Sequence, residues 1–164
     1  MKIDKLSKQN DIELCRKILN ESFITVADEF GLTRENSPTN AAFYSNDDLK
    51  KQIEKGIEFY KGTNKGKVIG CVAIEKSKTE PDTFYVEKLA VLPLFRHKGF
   101  GKQLMDFCSD TVKDLGGKTI SIALIDSNLQ LKGWYEELGF QVTAIKEFEH
   151  LPFKVCFMQK DIDE

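Results

Sequence analysis

The sequence predicts an α/β (α+β) protein, a mixed sheet of six or seven strands flanked by about four helices. Three observations carry this expectation. Apolar residues switch between strand-like and helical spacing in the order βα, α, βββ, α, β, α, ββ. One run, Thr83 to Val91, is apolar on both faces apart from Glu87 and Lys88, as a strand in the middle of a sheet is. No internal repeat and no Pro/Ser/Gly-rich linker divides the 164 residues, so 1–164 reads as a single domain.

In chain order, a short strand near Lys2 to Leu6 comes first. Asn10 with Glu13 then makes a capping-box start to a helix whose apolar residues are Ile12, Cys15, Ile18, Leu19 and Phe23. Gly31 to Asn46 carries turn formers and the Ser37-Pro38 break and reads as a loop, followed by a helix over Asp47 to Gly56. Glu58 to Gly62 and Lys67 to Lys76 are β-prone runs joined by the hairpin signal Asn64-Lys65-Gly66. After the SKTEPD turn comes the central strand, Thr83 to Val91, stopped by Pro93. Phe100, Leu104, Phe107, Cys108, Val112 and Leu115 form a helical face closed by Gly116-Gly117. Thr119 to Ile125 is the next strand and Asn128 to Leu138 a short helix ended by Gly139. Two strands follow, around Val142 to Phe148 and Val155 to Lys160.

Composition narrows the function. With 24 Lys+Arg against 26 Asp+Glu the formal charge is −2, too near zero for a protein that coats nucleic acid by counterion release. A chain of this length buries roughly 70% of its unfolded surface, enough for a core with a concave site and no metal or disulfide staple. Cys15, Cys71, Cys108 and Cys156 form no C-x-x-C, and His97 and His150 are the two histidines. We expect four buried thiols in a reducing cytoplasm and no metal. The opening MKIDKLSKQND has no signal-type apolar core, and the apolar stretch Val68 to Ile74 is too short to span a bilayer.

Between the central strand and its helix lies Arg96-His97-Lys98-Gly99-Phe100-Gly101-Lys102. Two glycines and several cationic groups at a helix start suit an anion, because the first N–H groups of a helix have no internal partner and carry the positive end of its dipole. Two nucleotide motifs fail. A Walker A loop needs Ser or Thr where Gln103 stands, and a dinucleotide fingerprint needs a small residue where Leu104 stands.

R-x-x-G-x-G after a strand ending in Leu-Ala-Val, together with the later N-x6-Y-E-x-L-G-F, resembles the GNAT family of N-acetyltransferases. The strong part runs from Thr83 to Phe140, and the element order extends it across essentially the whole chain. The resemblance implies a twisted, mostly antiparallel sheet in which one parallel strand pair splays to hold acetyl-CoA. It places the pyrophosphate on Arg96, Gly99 and Gly101 with the amides of His97, Lys98 and Lys102, although His97 stands where relatives often carry glycine. It places the acetyl carbonyl and pantetheine along the backbone of Leu89, Ala90 and Val91, with Asn128 on the pantetheine arm. Tyr135 matches the tyrosine beside the thioester sulfur, where a phenol protonates the leaving thiolate. Leu131, Trp134 and Leu138 share its stripe, so without the motif it reads as core.

The chemistry implied is attack of a neutral amine on a thioester, with a backbone N–H at Ala90 or Val91 facing the oxyanion. Glu87 is the candidate general base. By strand parity it shares a face with Tyr85, Leu89 and Val91, where burial raises a carboxyl pKa; pairing with Lys88 or Lys76 is the competing role. The acceptor side falls to Ala27 to Asn46, the second helix and the last strand connection. Asp28, Glu29, Arg34, Glu35, Asp47 and Asp48 mix there with Phe30, Phe43 and Tyr44. This composition fits a small or amino-acid-like amine and is compatible with a peptide N-terminus. A second function class, an acyl-CoA-binding sensor with little turnover, keeps the same cofactor residues. A homodimer through the terminal strands is compatible with the sequence, and neither nucleic acid nor membrane is expected as a partner.

Overall fold

The computed structural model describes residues 1–162. The elements follow the expected order: β1 (Lys2–Lys5), α1 (Gln9–Phe30), α2 (Asn46–Glu54), β2 (Glu58–Asn64), β3 (Lys67–Lys76), β4 (Thr83–Val91), α3 (Phe100–Asp114), β5 (Thr119–Ile125), α4 (Leu129–Glu137), β6 (Gln141–Lys146) and β7 (Val155–Asp161). They build one seven-stranded sheet in the order β1-β2-β3-β4-β5-β7-β6, which puts β4 at its centre. Every neighbouring pair is antiparallel except β4 and β5, which are parallel and joined by α3.

Some local expectations are corrected. The N-terminus of α1 is not capped by Asn10 and Glu13; the Asp11 carboxylate accepts from the backbone N–H of Ser7 at 3.1 Å and of Lys8 at 3.3 Å. The helix also runs a further two turns, to Phe30. Within the loop before α2, Ala41–Phe43 forms one 3-10 turn, because the Asn40 side chain accepts from the N–H of Ala42. The β2–β3 hairpin turns at Lys65 and Gly66, both at positive φ (49° and 79°), as a two-residue primed turn requires.

Each face of the sheet has its own core. Phe84, Val86 and Val91 of β4 pack with Leu104, Met105, Cys108 and Val112 of α3 on one side. Ala73, Ala90 and Leu92 pack with Cys15, Ile18 and Leu19 of α1 on the other. A smaller cluster joins Ala27, Leu32 and Ala42 to Ile125 and Phe153, so the α1–α2 loop and the β6–β7 connection meet at the end of β5. All four cysteines are buried and unbridged. Among the described residues no helix is long and apolar enough to cross a membrane.

Two features of β4 shape the centre of the sheet. Cys71 pairs with Ala90 and Ala73 with Glu87, so Lys88 and Leu89 together oppose Val72 alone. This is a β-bulge, and Lys88 takes a left-handed φ of 51° to make it. The bulge inverts the side-chain alternation beyond it. Glu87 keeps the α1 face that Tyr85 also has, whereas Leu89 and Val91 turn to the α3 face. The period-two expectation that grouped Glu87 with Leu89 and Val91 is therefore wrong, because it counted an uninterrupted strand. The second feature is the seam with β5. The two strands pair only at Thr83–Thr119, Phe84–Ile120 and Tyr85–Ser121 and then part, which is the splayed parallel pair that the sequence implied.

Candidate active site

The splay opens toward the carboxyl ends of β4 and β5, where α3 and α4 begin. From Leu92 the chain makes a turn over Pro93–Phe95 and enters α3 through His97 and Gly99, both left-handed at φ 59° and 82°. The position that relatives often give to glycine is thus a left-handed one, which His97 occupies at a conformational cost of about 1 kcal/mol. A Cβ on Gly99 would meet nothing within 4 Å, so glycine serves the backbone angle there and the space above stays open. A Cβ on Gly101 would lie 3.3 Å from the Trp134 ring, so this glycine also lets α4 close over the first turn of α3.

The helix starts differ in how they are finished. Ser45 accepts from the N–H of Asp48 at the head of α2, Asn128 from that of Leu131 at the head of α4, and Asp11 serves α1. No side chain caps α3, and its first turn carries no acidic residue. Its leading amides, at Phe100, Gly101 and Lys102, are left for an outside acceptor, which the positive end of the helix dipole favours being an anion.

The cationic side chains of this turn are engaged by the protein. Arg96 points inward: Nε donates to Val91 O at 3.1 Å, Nη1 to Thr25 Oγ1 at 3.0 Å and Nη2 to Ser22 O at 2.8 Å. Its guanidinium therefore ties the end of β4 to α1, with all three of its nitrogens bonded within the protein. Burial pulls its pKa below the ordinary arginine value. Lys98 Nζ donates to Leu94 O at 3.1 Å, and Lys102 pairs with Asp106 at 2.6 Å on an exposed helix face. What the turn offers an anion is chiefly its backbone.

Along the seam, Ala90 and Val91 pair with Cys71 and Gly70 on the β3 side, while beyond Tyr85 β4 has no ladder partner on its β5 side among the described residues. Tyr135 belongs to the same apolar cluster as Val91 of β4 and Ile122 and Leu124 of β5, the strands that border the gap. Its ring meets Trp134 and Phe140 edge-on, with centroids 4.9 and 5.4 Å away. Burial pushes its phenol pKa above the ordinary tyrosine value, with Cys108 adding to the effect. The phenol thus stays protonated, as a proton donor must.

Glu87 lies on the other face, half-buried, with Oε2 at 2.7 Å from Lys88 Nζ. That ammonium also stands 5.8 Å from the centre of the Tyr44 ring, whose hydroxyl accepts from Gln52 Nε2 at 3.2 Å. Glu75, diagonally across from Glu87 on β3, has its carboxyl pKa raised by burial first and then by the Glu87 carboxylate. Sequence reasoning missed Glu75 and the pairing of Tyr44 with Lys88. The signal for the first was present, since Glu75 is a charged residue closing an apolar strand opposite Tyr85. Arg34 and Phe43, from the expected acceptor loop, stack on each other at 5.2 Å.

A family model described as the Acetyltransferase (GNAT) family matches residues 17–140. Among curated proteins, the uncharacterised N-acetyltransferase YvbK of Bacillus subtilis (strain 168) is 32% identical over 101 residues, 62% of this chain and 63% of its own. An uncharacterised N-acetyltransferase of Chlorobaculum tepidum is 30% identical over 117 residues, 65% of each chain. The matches thus span a little under two thirds of these relatives. Among solved structures, the ribosomal-protein-S18-alanine N-acetyltransferase of Escherichia coli superposes with a TM-score of 0.76 at 18% identity, covering 99% of this chain and 94% of its own. The PaiA N-acetyltransferase of Thermoplasma acidophilum, in complex with coenzyme A, gives 0.76 at 19% identity over 98% and 99%. These two likenesses are of fold.

Proposed function

This chain belongs to the GNAT acetyltransferase family, and from that premise we propose that it moves an acetyl group from acetyl-CoA to a primary amine by direct attack, acting as a single N-acetyltransferase domain. The observation that carries the reading is the seam: two parallel strands that part after three residue pairs, ending at the head of α3, which no side chain caps. A long, thin ligand with an anionic end fits that shape.

Acetyl-CoA supplies the acyl group already activated as a thioester. The amides at the head of α3, with those of His97 and Lys98 before it, hold the pyrophosphate; Gly99 keeps the approach free of a side chain, and Gly101 gives Trp134 room against the same turn. The open edge of β4 at Leu89, Ala90 and Val91 aligns the pantetheine arm, and Asn128 contributes its amide from the head of α4. A backbone N–H at Ala90 or Val91 faces the carbonyl oxygen, where negative charge develops. Glu87 removes one proton from the incoming ammonium so that a neutral amine attacks. As the C–N bond forms and the C–S bond breaks, Tyr135 gives its proton to the thiolate and is restored by the second proton from nitrogen.

For the acceptor we infer a small or amino-acid-like amine. The carboxylates of Glu87 and Glu75 favour an ammonium, and the α1–α2 loop and the β6–β7 connection, which meet at the end of β5, are the segments left to shape its pocket. Four unbridged buried cysteines fit a reducing cytoplasm. The edge strand β6, with Val142 and Ile145 42% and 50% exposed, fits a homodimer.

The test is to mix the protein with acetyl-CoA and polyamines, amino acids, aminoglycosides or short peptides and follow free-thiol release. Release that depends on one acceptor class supports transfer and names the class. Silence across the panel with acetyl-CoA still bound in calorimetry overturns the amine-transfer reading in favour of a sensor.

A further inference from the structure

On the face of the sheet toward α1, two carboxyl groups and one ammonium gather on β3 and β4 beside the apolar Ala73 and Ala90. Pairing of Ala73 with Glu87 and of Glu75 with Tyr85 makes Glu75 and Glu87 diagonal neighbours on that face, within reach of each other's side chains. The ammonium comes from Lys88, which the bulge turns back onto the residue before it, at 2.7 Å. Lys88 is held there: its side chain is 15% exposed, and its ammonium lies over the Tyr44 ring that Gln52 fixes from α2. A lysine at a left-handed φ is strained, and at this place the strain sets a charge beside a carboxylate.

We propose that Glu75 and Glu87 work as one proton-holding pair with Lys88 as its fixed counter-ion, Glu87 meeting the acceptor and Glu75 and Lys88 acting as positioning residues that set the pair's charge. The inference rests on, and deepens, the transfer reading above. With both carboxyls ionised the trio carries a net charge of −1. An acceptor ammonium brings +1, passes one proton to the pair, and leaves a neutral amine beside a neutral trio. The proton returns to solvent after the product departs. Like-charged carboxyls this close hold a shared proton more tightly than either holds one alone, which is what a proton acceptor for an amine requires. The direction at Glu75, raised by burial and by Glu87 and lowered by Lys78 and Lys88, agrees. The other titratable groups facing the trio are Tyr85 on β4, whose hydroxyl lies 3.3 Å from Ser77 Oγ, and Tyr44 and Asp48 from the chain around the head of α2.

Titrating the glutamate side-chain carbons of the full-length protein by NMR, with no substrate present, tests this directly. Glu87→Gln is expected to move the Glu75 midpoint down by about one pH unit and Lys88→Gly to move it up by a similar amount, with Lys88→Arg near the wild-type value. Glycine accepts the φ of residue 88, so the bulge survives the substitution; Lys88→Asn, which tolerates the same angle, replaces it if Lys88→Gly fails to fold. A Glu75 midpoint that does not move in either Glu87→Gln or Lys88→Gly, or that moves the same way in both, overturns the pair. In turnover, the acid limb of kcat/KM is expected to move to lower pH in Glu75→Gln and to higher pH in Lys88→Gly. A structural defect would lower the plateau and leave the limb in place. If the NMR midpoints move as expected while no amine is acetylated, the pair stands and the transfer reading is the one that fails.

Discussion

Arg96 Nη2 donates to the main-chain carbonyl of Ser22 across 2.8 Å, so the first residue of the glycine turn is fastened to the middle of α1. Two more bonds, to Thr25 Oγ1 and Val91 O, use the same guanidinium. The turn is thereby anchored from behind, and no side chain caps the helix start that follows it.

Replacing Arg96 by alanine leaves a buried end of β4 and a helix carbonyl without their donor. We expect a loss of about 2–3 kcal/mol in unfolding free energy, read from urea midpoints. Lysine recovers only part of it, since one ammonium cannot reproduce the planar three-way fork. A variant as stable as wild type would show that the tie contributes nothing.

Gly101→Asp puts a carboxylate among the leading amides of α3. A negative group there suits the helix dipole, and the Trp134 ring has to yield only a few tenths of an ångström, so the free protein keeps its fold. With the pyrophosphate proposed to take the same amides, acetyl-CoA is expected to bind at least about 100-fold more weakly in calorimetry. Unchanged affinity removes the pyrophosphate from this turn.

In Tyr135→Phe the ring keeps its contacts with Trp134 and Phe140, and only the hydroxyl is lost. Turnover is expected to fall about 100-fold with acetyl-CoA affinity within about twofold. Because burial raises the phenol's pKa above 10, an alkaline loss of rate below pH 10 belongs to another group. Wild-type turnover in the variant would reduce Tyr135 to a core residue.

The Asp11 carboxyl, 8% exposed, has its pKa lowered from 3.8, first by the hydrogen bond from Lys61 and further by the amides of Ser7 and Lys8, against the opposing effect of burial. A depressed folded pKa means that the ionised group stabilises the fold above the unfolded value and that this is lost as pH falls through the lower folded value. Asp11→Asn is expected to cost about 1–3 kcal/mol at pH 7, and its difference from wild type to shrink below pH 4. Urea midpoints at pH 7 and pH 3 read both; equal differences at the two pH values would rule out the linkage.

Strands and helices were legible where punctuation was strong. β4 and β5 match their expected limits to the residue, because the SKTEPD turn, Pro93 and Gly116-Gly117 bracket them. The bulge was not legible. A left-handed residue is usually announced by glycine or asparagine, and here it is Lys88, so Glu87-Lys88 read as two steps of a regular strand and Glu87 was put with the wrong neighbours. The tie that Arg96 makes was hidden for another reason. Its place in the motif is local, but its partners Ser22 and Thr25 lie on α1, more than 70 residues earlier, and only the tertiary structure brings them together. Tyr44 reaches Lys88 in the same long-range way, whereas Glu75 and Glu87 sit on consecutive strands.

The three residue pairs that join β4 to β5 divide the sheet into two antiparallel halves, β1 to β4 and β5 with β7 and β6, stitched at one end and strapped by α3. Without a ligand, the amides that face the seam beyond Tyr85 and Ser121 have no rung to protect them, and they are the ones that hydrogen exchange reaches by the smallest parting of the halves. A molecule lying along the seam takes the place of the absent rungs. Occupancy would then be written into the exchange rates of both halves at once, so the sheet itself reports whether its donor is aboard before any acceptor arrives.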